Sequence, residues 1–171
     1  MPTALPAPAA TLFADFEQEF ASTRRMLAAF PEGKADWKPH AKSHTLGALA
    51  THVAGVPARG VGVLTTDFSD ITGRHPGPPE TTAAALVALF DANAAALMAA
   101  LAGSTAESLE QPWSLRAGPK VLISMPRRAL VRWLVMSHHI HHRAQLSVYY
   151  RLLDVPVPGM YGPSADEGLP T

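Results

Sequence analysis

One stretch of this chain, from Pro126 to about Leu153, reads as a single long amphipathic helix. Four of the eight histidines in the sequence fall within five residues of it, at His138, His139, His141 and His142. A helix turns about 100° per residue, so side chains four apart stand one turn above each other. His138 and His142 therefore point together. With His138 set at zero, Val131, Leu134, Val135, Leu146, Val148, Tyr149, Leu152 and Leu153 fall within roughly 80° of it, on the stripe expected to face the core. Gln145 follows on the same stripe, whereas His139 and His141 project to its two borders and are read as flanking residues.

A neutral imidazole in an apolar stripe needs a partner for each ring nitrogen, and two neighbouring rings double that demand. One divalent ion would answer it, and the His-x-x-x-His spacing is a recurring way for a helix to present two ligands. The plainer reading is one hydrogen-bonded core histidine with the others solvated. His139 occupies the place of the glutamate in the His-Glu-x-x-His protease motif, which argues against that chemistry.

At 171 residues without a break in composition, the chain is expected to form one domain, 1–171. Lysine plus arginine equals aspartate plus glutamate at 14 each, so nothing favours nucleic acid as a partner. The absence of cysteine excludes disulfides, thiolate ligands and a cysteine nucleophile, leaving histidine, carboxylate and water to bind a metal. Residues Met1–Ala10 have neither a basic start nor a continuous apolar run and are expected to form a flexible arm. The alanine-rich stretch from Ala83 to Ala102 is interrupted by Asp91 and Asn93 and does not read as a membrane span. A cytoplasmic, soluble protein is expected.

Four helices follow from the pattern of apolar residues and breakers. The first spans about Thr11 to Phe30, stopped by Pro31 and Gly33; the second opens at Ser43 or Thr45 and runs to Leu64, with Pro57 as a kink. Asp70 to Glu80, rich in proline and glycine, should be an exposed crossover loop. The third helix spans about Thr82 to Leu101 and ends at Gly103. Residues Glu110 to Ser124 suggest a short hairpin or irregular insert, because Gly118 and Pro119 precede a β-prone run. The fold expected is all-α: a four-helix bundle with a long crossover loop, an insert before the last helix, and a tail, 154–171, packed on the surface. Trp133, Met136, Ile140 and Tyr150 form a second apolar strip on the last helix, to be covered by the insert, by the tail or by a second copy of the chain.

Zinc sites that perform chemistry take three protein ligands and leave a position open. His52 is the best third ligand, since it shares a face with Thr45, Leu49 and Val56, whereas His40, His44 and His75 lie in or near loops. Three sequence blocks then converge on one family. They are Leu49-Ala50-Thr51-His52-Val53, the run from Ser137 through Gln145 to Leu146, and the tail from Arg151 through Pro156, Pro158, Gly159 and Tyr161 to Ser164. In these, and in helix order over nearly the whole chain, the sequence resembles the DinB-like family of helical metalloproteins. The resemblance implies a four-helix bundle, often dimeric, whose three-histidine metal site corresponds to His52, His138 and His142. Where many relatives carry an acidic residue and a glycine, this chain has His139 and Ala144.

A divalent ion on three neutral imidazoles keeps its full charge and favours ionisation of a bound thiol or water near neutral pH. The resemblance implies thiol-dependent transferases and isomerases acting on small molecules, with hydrolysis as the near alternative. Zinc is expected, with nickel or iron also suited to the ligand set. Gln145 is the candidate residue for orienting a ligand or substrate, and Tyr149 a candidate donor into the site; Trp113 and Tyr161 are candidates for its mouth. Two readings from other classes stay open. One is a stress- or damage-associated protein in which the ion only staples helices, and the other is a histidine cluster that senses pH without metal.

Overall fold

The computed structural model describes residues 7–168. In chain order these form α1 (Ala7–Leu12), α2 (Phe16–Ala28), α3 (Leu46–Thr65), β1 (Phe68–Asp70), α4 (Ala83–Ala102), α5 (Ala106–Glu110), β2 (Pro112–Ala117) and β3 (Lys120–Pro126). A helical rod follows, made of α6 (Arg127–Leu130), a π-helical stretch (Val131–Ser137) and α7 (His138–Leu152). The protein is mostly helical with a small sheet, so the all-α expectation is corrected. The sheet has the order β1-β2-β3, with β1 parallel and β3 antiparallel to β2.

Local chemistry explains most boundaries. Thr45 and Thr82 each place a hydroxyl oxygen 3.2 Å from the amide three residues on, Ala48 and Ala85, capping α3 and α4. Pro57 lies inside α3. Gly118, at φ +56°, is the first of the two residues between β2 and β3, where a hairpin loop requires the left-handed conformation. At the N-terminus the expected single helix is two. Ala7–Ala10 belongs to α1 rather than to a flexible arm, with Ala9 fully buried; the remainder of the expected arm lies outside the described residues. The chain turns at residues 13–15, and Phe13 and Phe16 pack at 5.0 Å across the break.

Contacts sort the chain into two compact units. The first holds the described residues through Phe16, Val56–Gly77 and Ala92–His139. Its core contains Val63, Leu97, Leu101, Leu109, Leu130, Val131, Val135 and Met136, and a Cβ on Gly60 would stand 2.7 Å from Leu97, so glycine there permits close helix approach. Arg127 donates to the carbonyls of Val63 and Thr66, tying the end of α3 to the start of the rod. The Trp113 indole donates to Thr66 Oγ1 at 3.2 Å. Arg132 is anchored by Asp15 and the Leu12 carbonyl.

The second unit holds Glu17–Gly55, Pro78–Asp91 and the chain from Ile140 onward. Met26, Leu27, Leu46, Leu49, Val53, Leu86, Phe90, Leu146 and Tyr150 form its core. Phe20 meets Phe90 edge to face at 5.7 Å. The tail is bound to this unit by charge-assisted bonds: Arg151 to Asp166, Arg25 to Glu167, and Arg25 to the Gly159 carbonyl at 3.1 Å. By length and composition α4 is apolar enough to cross a membrane, yet Leu86, Phe90, Leu97 and Leu101 are buried within the protein and Asp91 is paired with Arg24 at 3.0 Å.

Candidate metal centre

His138 and His142 begin α7 one turn apart, and His52 sits in the first half of α3. The three are half-buried, and their potential ligand atoms all lie within 4.8 Å of one another. The rings of His52 and His142 stand 4.5 Å apart, nearly perpendicular at 82°. Zinc–nitrogen bonds of about 2.0–2.1 Å put tetrahedral ligands roughly 3.3 Å apart, so small ring rotations would bring this set onto one ion. The donor set, three imidazoles and no carboxylate, fits a borderline-soft divalent metal. Among the described residues no fourth histidine, aspartate or glutamate joins the group.

Gln145 adds a constraint on one ligand. The Nδ1–H of His142 donates to Gln145 Oε1 at 2.8 Å, which fixes the tautomer whose acceptor nitrogen is Nε2. His141 is exposed, its ring 4.9 Å from that of His142. Tyr149 is buried, meets Trp37 edge to face at 5.7 Å, and donates its hydroxyl to the His44 carbonyl at 3.2 Å. His40, His44 and His75 are exposed.

The buried side of α7 is turned from where apolarity alone puts it. His139 is fully buried and Arg143 is 2% exposed, while Val148 and Leu152, expected in the core, are 57% and 58% exposed. Met136 and Tyr150, expected on a second outward strip, are fully buried, and the Tyr150 hydroxyl donates to the Met26 carbonyl at 2.9 Å. Burial pushes that phenol well above its ordinary pKa. For Tyr150 the partner is α2, whereas Trp133 of the same strip is 50% exposed. The interior side is therefore centred near His139, Arg143, Leu146 and Tyr150, and His138 and His142 stand half-buried at its edge.

A buried polar cluster that sequence reasoning missed holds this side together. Arg143 donates to Glu19 Oε2 at 2.6 Å, to the Glu19 carbonyl at 2.9 Å, to Thr23 Oγ1 at 3.1 Å and to the Tyr161 hydroxyl at 2.6 Å. Tyr161 in turn donates to the Glu19 carboxylate at 2.9 Å. Burial, together with that bond to Glu19, raises the Tyr161 phenol above its usual range. Trp113 and Tyr161, the candidates for the mouth, thus have Thr66 and the Arg143–Glu19 pair as their partners. The signal for this cluster was faint: Arg143 off the apolar stripe, and a tyrosine in a proline-rich tail.

Comparison with known proteins places these features in context. The sequence model of the DinB family matches residues 1–169. The chain is 26% identical over 156 residues to the uncharacterized protein YrdA of Bacillus subtilis, covering 89% of this chain and 87% of that one. Its fold is similar to a DinB-like protein from Bacillus cereus, at a TM-score of 0.69 and 23% identity, covering 88% of this chain and 95% of the other. It is likewise similar to the DinB-like protein YjoA of Bacillus subtilis, at a TM-score of 0.68 and 19% identity, covering 88% and 97%.

Proposed function

Because the chain belongs to the DinB family, we propose that it is a metal-dependent enzyme of helical-bundle type. In this reading one divalent ion, zinc first, is held by His52, His138 and His142. The reaction is thiol-dependent transfer or isomerisation on a small molecule, with hydrolysis as its near relative. The observation that carries this reading is the convergence of three half-buried histidines from two helices with no fourth protein ligand among the described residues. A structural staple is usually closed by four ligands, whereas a catalytic site keeps one position for a substrate. When bound, a divalent ion on neutral imidazoles supplies Lewis acidity that favours the ionised form of a thiol or of water. The residues do the rest: Gln145 holds the tautomer of His142, and the partial exposure of all three histidines leaves a path for a reactant. With no cysteine in the chain, any thiol comes from the substrate side.

Elemental analysis of tag-free protein, followed by thiol-transfer and ester-hydrolysis screens against the His52→Ala/His138→Ala/His142→Ala variant, tests this. One ion per chain and turnover, both lost in the variant, are expected. Metal retained by the variant overturns the ligand assignment, and equal turnover overturns the catalytic one. Bound metal that raises thermal stability without any turnover favours the staple.

A further inference from the structure

The face of the small sheet carries a second polar site, and we propose that it binds the carboxylate or phosphate group of a small molecule, independently of the metal centre. A groove of about 390 Å³ is lined by Asp67, Gln111, Ser114, Arg116, Ser124 and Arg127. The sheet register assembles it. Ser114 and Ser124 are directly opposed on β2 and β3, and Arg116 lies two residues beyond Ser114, so the three share one face. A register shift between Leu115 and Arg116 marks a bulge beside the groove, a device that re-aims side chains.

The groove offers donors in excess of acceptors. Arg116 has its Nε–H bonded to Ser114 Oγ at 2.9 Å and its guanidinium stacked 4.4 Å over the Phe68 ring. These two contacts hold the fork in place and leave both terminal nitrogens for a ligand; among the described residues no carboxylate pairs with it. Arg127 is 9% exposed, and its one acidic partner, Asp67 at 3.2 Å, has a side chain 93% exposed. A carboxylate so fully hydrated neutralises a buried guanidinium only weakly. Ser114 is 6% exposed, and its oxygen already accepts from Arg116, so its hydroxyl hydrogen is available to the groove. Arg127 contributes its charge, since its terminal nitrogens are already bonded to the Val63 and Thr66 carbonyls and to Asp67. That charge, the open fork of Arg116, two hydroxyls and an amide select an anionic oxygen pair rather than a cation or an apolar group.

The test is an amide-shift titration of the full chain with acetate, inorganic phosphate and chloride at constant ionic strength. Saturable shifts at Ser114, Arg116, Ser124 and Arg127 are expected with acetate or phosphate and not with chloride, and the tighter of the two identifies the group recognised. Arg116→Gln should weaken binding about 10-fold, as loss of a charge-assisted pair does. Ser124→Asp, at an exposed strand position, should abolish it by supplying Arg116 with an internal carboxylate. Arg128→Gln, outside the groove, should leave it unchanged. Shifts that never saturate, chloride matching the oxyanions, or Arg128→Gln weakening binding as much as Arg116→Gln would each overturn the proposal.

Discussion

His142 donates its Nδ1–H to Gln145 Oε1 across one turn of α7, at 2.8 Å. A histidine held in one tautomer offers its other nitrogen to a metal without paying to reorient, and loss of such a partner commonly weakens metal binding about 10–100-fold. Gln145→Ala should therefore lower zinc affinity about 10-fold in competition with a chromophoric chelator. Gln145→Glu, which keeps an acceptor, should retain it. Equal affinity in Gln145→Ala would show the contact to be incidental.

Metal bound to the folded chain alone stabilises it by mass action, about 4 kcal/mol when free metal exceeds Kd by a thousandfold. Zinc should accordingly raise the thermal midpoint of the wild-type chain, and chelation should reverse the rise. His142→Ala should remove most of the effect while leaving the metal-free midpoint within a few degrees, because His142 is only half-buried. An undiminished zinc response in that variant would place the ion elsewhere.

Much of the fold could be read locally, and what could not be read is non-local. Thr45, Thr82, Gly118 and the proline-rich crossover act on their immediate neighbours, so α3, α4 and the hairpin are visible in the residues themselves. His138 and His142 were legible for a similar reason, since i, i+4 spacing is a property of one helix, whereas His52 on α3 was reached through its own helix face and the family resemblance. The orientation of α7 was not. Its inward side includes Arg143, which is stable there only because Glu19, 124 residues away, meets it with a carboxylate. A stripe drawn from apolarity excludes such a residue by construction. Met136, about 160° around the helix from His138, falls toward that reoriented side and is buried with it. β1 is three residues long and exists through its pairing with β2.

Arg143 and Glu19 form an ion pair whose side chains are 2% and 9% exposed. Breaking such a pair strands a charge in the interior, typically at about 3–5 kcal/mol. Arg143→Met should lower stability by that order in urea unfolding. Arg143→Met combined with Glu19→Gln should recover part of the loss, because the orphaned carboxylate is gone. Tyr161→Phe, which removes one hydroxyl from the cluster, should cost about 1 kcal/mol. A double variant less stable than the sum of its parts would contradict a paired-charge origin.

The tail should loosen in acid. Asp166 and Glu167 are held below their ordinary pKa values, first by the guanidiniums of Arg151 and Arg25 and then by the amides of Val157 and Gly159. A folded-state pKa lower than the unfolded one contributes stability above the unfolded value, near 3.8 for aspartate and 4.5 for glutamate, and loses it as pH falls through the folded value. Hydrogen exchange at Val157 and Gly159 should thus accelerate below about pH 4 relative to amides of α3, beyond the intrinsic pH trend. Unchanged protection ratios down to pH 3 would show that these carboxylates do not hold the tail.

The end of α7 carries a residue in an unfavourable conformation. Asp154 has φ +58°, while Val155 N–H donates to the Tyr150 carbonyl at 3.0 Å and Asp154 N–H to that of Arg151 at 3.2 Å. That pair of bonds is the Schellman arrangement, and its left-handed position is usually glycine. An L-residue there costs roughly 1–2 kcal/mol, less for aspartate than for most, while glycine costs about 0.5–1 kcal/mol in unfolded-chain entropy. Asp154→Gly also gives up a solvent-screened attraction to Arg151, which is too weak to reverse the sign. The balance favours glycine by up to about 1 kcal/mol, or roughly 2–4 °C in Tm for a chain of this size. Asp154→Ala, which keeps the strain and loses the polar side chain, should fall below wild type. If glycine and alanine were to shift the midpoint alike, backbone strain would not be the quantity that distinguishes them.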